Sequence, residues 1–256
     1  MAAPFVEGPL RDAFRHLFNS DLQASVAAVE LHRRDAPEDP LGTAISAAVR
    51  FYHYVSVRIT ERDTPSIVGV LLGAGVPMPA AMQKEIGALL RKTQVLAGAA
   101  NGVNSILALS IVESVNRDGM AIVSKRWGKA LTHAERAHEL AGRMLKGDAT
   151  AHDAYFVLGS TEYLLSRIPG PVRGFLGLRG ASGDKKKAIA YCQTAAESGW
   201  FFREFARRTL VNLYVEENRL AEAERILGEL AEEFPGNQFL RADLMKLRAD
   251  FVKPQG

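Results

Sequence analysis

"TLVNLYVEENRLAEAERILGELAEEFPGN", residues 209–237, decides the fold. Leu210, Val211 and Tyr214 recur at helical spacing, the chain breaks, and Ala223, Leu227 and Leu230 resume the spacing before Pro235 closes the unit. Two amphipathic helices joined by a short link form a hairpin. Such a hairpin buries both of its faces only by stacking on others, so the stretch predicts neighbours of the same kind.

Outward from it the chain reads as helix after helix, and strand signals are scarce. Ser20 is a candidate cap for a helix over 21–34, and Asp39-Pro40 opens a helix to about residue 60. Residues 78–98, 101–117 and 127–146 read as helices, followed by one from Thr150 or Asp153 to 167, ended by Pro169 and Pro171. The last four cover 184–198, 200–217, 220–234 and 237–251. Residues 61–79, rich in glycine and proline, read as a short helix and a loop. The expected fold class is all-α, with stacked antiparallel helical hairpins forming one α-solenoid domain over 1–256. Its parts are an N-terminal hairpin region at 21–60, irregular or atypical helices at 61–100, a hairpin at 101–149, a lengthened hairpin at 150–199, the best-matched repeat at 204–237 and a capping helix at 238–252.

Composition narrows the function classes. With 256 residues, 47% apolar and 24% charged, the chain can bury a sizeable core. The net charge of +3 is small for this length and does not argue for nucleic acid. A single cysteine, Cys192, excludes an internal disulfide and a cysteine-based zinc cage. The first residues show no basic start followed by an apolar stretch, so the chain as given reads as cytoplasmic, or as exported if a leader has been removed. The longest uncharged run, 93–112, contains Gln94, Asn101 and Asn104 and is too polar for a membrane span.

The hairpins carry a repeat pattern. A tetratricopeptide unit is a helix–turn–helix of about 34 residues, with a large residue, Leu-Gly and Tyr on its first helix, Ala-x3-Phe on its second and a closing proline. Residues 204–237 fit it. Tyr155, Leu158 and Gly159 match another first helix, with Tyr155 standing for the tryptophan and Tyr163 one place late. Ala188, Cys192 and Ala195 match its second helix, across a surplus at 166–183. Ala134 and Ala141 fit a further second helix, and Ala24, Ala28, Leu31 and Pro37 suggest one near the N-terminus. The chain resembles a divergent tetratricopeptide repeat (TPR-like) protein. In "SRIPGPVRGFLGLRGASGDKKKAIAYCQTAAESG" (166–199), "ARRTLVNLYVEENRLAEAERILGELAEEFPGNQFL" (206–240) and "DLQASVAAVELHRRDAPEDPLGTAISAAVRFYHY" (21–54) it is similar to the branch that includes the yeast inclusion-body clearance protein and its animal and bacterial relatives. That resemblance implies a scaffold and no catalytic residue.

Motifs for chemistry fail on inspection. In "GFLGLRGASGDKKKA" (174–188) glycine recurs every third residue before three lysines. A phosphate-binding P-loop needs Gly-x4-Gly-Lys-Ser/Thr, but Asp184 follows Gly183 here and repels phosphate. The stretch reads as a joint: 172–178 pressed against a helix, Gly183-Asp184 as the turn, and Asp184 as the next cap. His138-Glu139 begins a zinc-binding pattern whose second histidine position is Gly142. The remaining histidines lack ligand spacing, and Ser160 lacks the flanking glycines of a nucleophile elbow. No catalytic residue, cofactor or metal is expected, and the chain does not read as an enzyme.

The first helix of a hairpin faces the concave side of such a stack. Beside the packed Leu210, Val211 and Tyr214, that face carries Phe205, Arg208, Asn212 and Glu216. On the preceding hairpin the equivalents are Asp153, Phe156, Ser160 and Tyr163. Of these, Phe156, Ser160, Tyr163, Phe205, Arg208 and Asn212 are the candidate partner-binding residues. Arg208 and Asn212 are similar to part of the arrangement by which some tetratricopeptide domains hold a peptide carboxylate. The expected function is non-catalytic binding of a protein or peptide, as scaffold or adaptor. A second reading is a pocket for a small organic anion, with Arg208 and Arg203 as its partners. Residues 173–208 hold eight basic against three acidic residues, and 216–250 hold five basic against nine acidic. That asymmetry fits ordinary solvated faces, a dipolar groove or end-to-end assembly into a homo-oligomer.

Overall fold

The structure, a computed structural model, describes residues 8–60, 75–100, 102–168 and 183–252; of 59, 60 and 250–252 only the backbone is described. Among the described residues there are eleven α-helices and no strand. They are α1 (Pro9–Phe18), α2 (Leu22–Asp35), α3 (Pro40–Thr60), α4 (Ala80–Ala99), α5 (Val103–Asp118), α6 (Trp127–Gly147), α7 (Asp153–Arg167), α8 (Lys185–Ser198), α9 (Arg203–Glu216), α10 (Leu220–Glu233) and α11 (Gln238–Val252). A π-helical turn, Gly119–Val123, extends α5. Consecutive helices pack as hairpins, α1 with α2, α3 with α4, α5 with α6, α7 with α8 and α9 with α10. Each hairpin then stacks on the next, α8 on α9 and α10 on α11 among them. The all-α hairpin stack read from the sequence is the observed architecture.

The decisive stretch folds as its pattern requires. Leu210, Val211, Tyr214, Ala223, Leu227 and Leu230 are all buried. Asn218 ends α9 in the left-handed region (φ 56°), and the N–H of Arg219 closes the turn on the carbonyl of Tyr214. Between α7 and α8 the approach is close at Gly159. A Cβ placed there would stand 2.7 Å from Cys192 Sγ and 3.2 Å from the carbonyl oxygen of Ala188. Ala188, Cys192 and Ala195 are fully buried along the same contact, and α6 packs on α5 with Ala130, Ala134, Ala137 and Ala141 buried. Small residues are what let helical axes approach this closely.

The glycine joint is seen in part. Gly183 sits directly on the backbone of Glu162 and Ser166 of α7, leaving no room for a side chain. Asp184 then caps α8, accepting from the N–H groups of Lys186 and Lys187 at 2.8 and 3.2 Å. Residues 172–178, Gly174, Gly177 and Gly180 lie outside the described residues, as does 61–74. Val76, just after that second segment, donates its N–H to the carbonyl of Ile122 at 3.0 Å.

Three local expectations are corrected. Ser20 does not cap α2. It takes the left-handed conformation that ends α1 (φ 64°), and Asp21 is the cap, accepting from the N–H of Ala24 at 2.9 Å. The buried positions of α2 are Ser25 and Val29 rather than Ala24, Ala28 and Leu31, and Leu31 is 48% exposed. The one-residue shift arises because the Ser25 hydroxyl donates to the carbonyl of Ala13 at 2.6 Å, a buried bond that fixes the α1–α2 register. Finally, α9 begins at Arg203, not Trp200, because the N–H groups of residues 200–202 turn aside to Asp153.

α1 was not anticipated. Pro9 stands in its first turn, and Leu10, Ala13, Phe14, Leu17 and Phe18 form a buried face. It packs on α2 and α3 and also touches α9, so the first helix joins the two ends of the stack. Phe14 belongs to the core of α1–α7, whereas Phe18 belongs to that of the C-terminal hairpins.

Cys192 is buried, and that burial pushes its thiol up to about 12. The native protein should therefore resist a disulfide-exchange reagent at pH 8 and react once per chain after denaturation. Fast labelling of the native protein would contradict the α7–α8 packing.

Candidate functional site

The face picked out by the sequence is assembled by α7 and α9 and extended by α11. At one end Phe156 and Phe205 lie with ring centroids 6.4 Å apart, and Phe202 stands 5.2 Å from Phe156. Phe205 is covered: Phe14 and Phe18 of α1 meet it edge-on at 5.7 and 5.4 Å. Ser160, one turn along α7, is half-buried, and its hydroxyl donates to the carbonyl of Val157 at 3.2 Å. Tyr163 is buried and donates its hydroxyl to Glu216 Oε1 at 2.7 Å. Burial first, then that carboxylate, hold the phenol well above its usual range. Arg167 reaches the same carboxylate at 2.6 Å.

Arg208 is the pivot of the middle of the face. It is half-buried, donating through Nη1 to Asn212 Oδ1 at 2.8 Å and pairing through Nη2 with Asp243 Oδ2 of α11 at 2.6 Å. The structure thus brings Arg208 and Asn212 together as their spacing implies, and adds Asp243. Nothing in the sequence singles out Asp243, since a carboxylate on a terminal helix is normally solvated. Arg203, the other anion partner of the pocket reading, turns its Nε to the carbonyl of Ala196 at 3.3 Å.

The charge asymmetry is used within the chain. Lys185 pairs with Glu216 and Glu217, Arg207 with Glu229 and Glu233, and Arg208 with Asp243, so basic side chains of α8 and α9 meet acidic ones at the end of α9 and on α10 and α11.

Beneath the aromatic end lies Asp153. Its Oδ1 accepts from the backbone N–H groups of Trp200, Phe201 and Phe202 at 3.1, 2.9 and 2.8 Å. This one carboxylate sets the path by which α8 passes into α9, and hence where Phe202 and Phe205 stand. Burial raises its pKa to about 6, against the three N–H bonds, and the neighbouring Glu204 adds to the rise. Helical spacing puts Asp153 on the concave face with Phe156, Ser160 and Tyr163; the structure corrects this, because the side chain is buried and turned to the α8–α9 link.

A cavity of about 260 Å³ lies between α6 and α7, lined by Leu131, Ala134, Glu135, His138, Thr161, Glu162 and Leu165. Its lining holds two carboxylates and neither arginine nor lysine. Among the described residues no three histidine, cysteine, aspartate or glutamate side chains gather as a metal site, and no helix is long and apolar enough to cross a membrane.

Comparison with solved structures finds the crystal structure of a thermophilic TPR protein of Thermus thermophilus, with a TM-score of 0.52 over 94% of this chain and 97% of that one, at 15% sequence identity. The fold is tetratricopeptide-like. No protein-family model matches the chain, and no curated protein does. The likeness to the inclusion-body clearance branch therefore stays a resemblance of sequence. Within the tetratricopeptide-like stack, α7 and α9 are the first helices of their hairpins, and α8 and α10 are the second.

Proposed function

We propose that the chain is a non-catalytic scaffold that binds a protein or peptide on the concave face of α7, α9 and α11. A tetratricopeptide-like fold is in general a protein-interaction scaffold, because stacked hairpins leave an extended face that no neighbour covers. The observation that carries the assignment to this face is the Arg208 arrangement. A half-buried guanidinium is held by Asn212 and offset by one half-exposed carboxylate, Asp243. A carboxylate of a bound peptide can take the place of Asp243 on the guanidinium without leaving the arginine unpaired beforehand. Ser160 and Phe156 line the same face, and Tyr163 stands buried behind it with its hydroxyl on Glu216. The organic-anion reading is not favoured, since Arg203 turns to a backbone carbonyl and the cavity between α6 and α7 has Glu135 and Glu162 in its lining and neither arginine nor lysine.

A display library of carboxylate-ended peptides panned against the purified chain tests this reading. Enriched peptides should lose about 1–3 kcal/mol of binding to Arg208→Ala, measured by fluorescence anisotropy. Because Arg208 also ties α9 to α11 through Asp243, unfolding of the variant is followed in parallel. Enriched peptides that bind a folded Arg208→Ala protein undiminished would place the binding face elsewhere.

A further inference from the structure

α1 packs chiefly on α2 and α3, and its Phe14–Phe18 side also sits against the start of α9. Phe14 seats between the rings of Phe202 and Phe205, at 5.5 and 5.7 Å, and Phe18 between Phe205 and Phe234, at 5.4 and 4.9 Å. Arg15 pairs with Glu204 at 3.1 Å and Glu233 at 3.0 Å. Past the helix end, Asn19 Oδ1 accepts the N–H of Gly236 at 2.8 Å, and Asn237 Nδ2 donates to the carbonyl of Phe18 at 2.6 Å. Aromatic anchors in a groove, with a charge-assisted pair beside them, are the elements of helix-in-groove recognition.

Yet α1 does not satisfy its seat. Near its start the Arg11 guanidinium lies over the Trp200 indole, 4.1 Å from the ring centroid. Both Arg11 Nε and Trp200 Nε1 are buried there without a hydrogen-bond partner. An arginine offers only donors, and so does an indole N–H. The seat asks for an acceptor, and α1 brings a second donor; buried donors left unpaired cost free energy. No side chain caps the start of α1, and it leads into a turn whose Ser20 is left-handed.

We propose that this seat is a docking site for an amphipathic helix of a partner protein and that α1 is its displaceable resident. The incoming helix carries two aromatic residues four apart, as at Phe14 and Phe18, with arginine directly after the first to meet Glu204 and Glu233. Three residues before the first aromatic, where Arg11 stands, it carries glutamine or glutamate to accept the Trp200 indole N–H. This rests on the scaffold reading and names a partner for the aromatic end of the same face. Opening α1 uncovers Phe205, so α1 also controls access to that end.

Two fluorescein-labelled peptides test it: residues 8–21 of this chain, and the same peptide with Arg11→Gln. Each is titrated against the full chain and against its Arg15→Glu variant, which sets a like charge against Glu204 and Glu233. The variant should take up the native-sequence peptide about tenfold more tightly than the parent does, and the Arg11→Gln peptide about tenfold more tightly again. A folded variant that takes neither peptide overturns the proposal. So does a variant that self-associates in sedimentation without taking peptide, since a second copy is then the occupant. Hydrogen exchange on the unaltered protein keeps the question open to refutation if the variant fails to fold. The α1 amides should exchange through a smaller opening than those of α5 and α6, and exchange only with global unfolding would make α1 structural. Uptake at the seat should be indifferent to Arg208→Ala. Seat binding that persists while library peptides ignore Arg208→Ala would therefore sink the carboxylate reading of the concave face and leave this one standing.

Discussion

Asp153→Ala should destabilise the protein by about 3 kcal/mol or more in urea unfolding. Its Oδ1 is the acceptor for three consecutive N–H groups at the α8–α9 link, two of them buried, and each buried donor left unpaired costs about 1–3 kcal/mol. Relief of the buried charge offsets part of that loss. Asp153→Asn keeps an acceptor oxygen and should cost far less than alanine. The same residue gives the pH dependence a sign. Its folded pKa, about 6, lies above the ordinary carboxylate value of 3.8, so the folded state holds the proton more tightly than the unfolded one. Its ionised form therefore weakens the fold at pH 7, and that cost is relieved as pH falls through 6. From pH 7.5 to 5 the parent should gain stability relative to Asp153→Asn, on the order of 1 kcal/mol, with a further gain below pH 5. Glu229 and Glu233, held below their usual range against burial by Arg225, Arg207 and Arg15, lose their contribution only at lower pH. Equal stability of Asp153→Ala and parent would mean that the α8–α9 link is held by something else.

Gly159→Val should cost about 3 kcal/mol, at the upper end of what overpacking usually costs, because the helices approach closely here and two of the three nearest atoms are backbone. A Cβ at 159 would stand 2.7 Å from Cys192 Sγ and 3.2 Å from both the Ala188 carbonyl oxygen and the Cys192 amide nitrogen. The sulfur is one atom of a side chain, whereas the other two neighbours are backbone. Gly159→Ala should accordingly be milder and should be partly rescued by Cys192→Ala, a positive coupling between neighbours. A Gly159→Val protein that unfolds at the parent's temperature would refute the α7–α8 register and the repeat alignment drawn through it.

Those positions show what a sequence can reveal of such a fold. Leu210, Val211, Tyr214, Ala223 and Leu227 were legible because a hairpin's packing is local: the residues that meet lie within one unit, and their spacing repeats. Gly159 and Cys192 were legible for the same reason, even across the surplus at 166–183. α1 was not read, although Leu10, Ala13, Phe14, Leu17 and Phe18 keep helical spacing and its main packing is on the neighbouring α2 and α3; its further contact with Glu204, 189 residues away, is one that no periodicity reports. The slip in α2 has a smaller cause. A serine took a buried position by bonding a backbone carbonyl, and the alanines beside it suggested the wrong register. At the candidate site, the spacing of Arg208 and Asn212 indicated that they share a face, but not that α11 supplies Asp243 to the same guanidinium. Nor did spacing show that α1 covers Phe205.

The central claim is that the concave face of α7, α9 and α11 does the binding. Hydrogen exchange of the unaltered chain, with and without a saturating library-selected peptide, tests it most directly. The account predicts new protection on α7, α9 and α11 around Ser160, Arg208 and Asp243, with α8 and α10 unchanged. Protection confined to α8 and α10, the outer helices of the same hairpins, would contradict it.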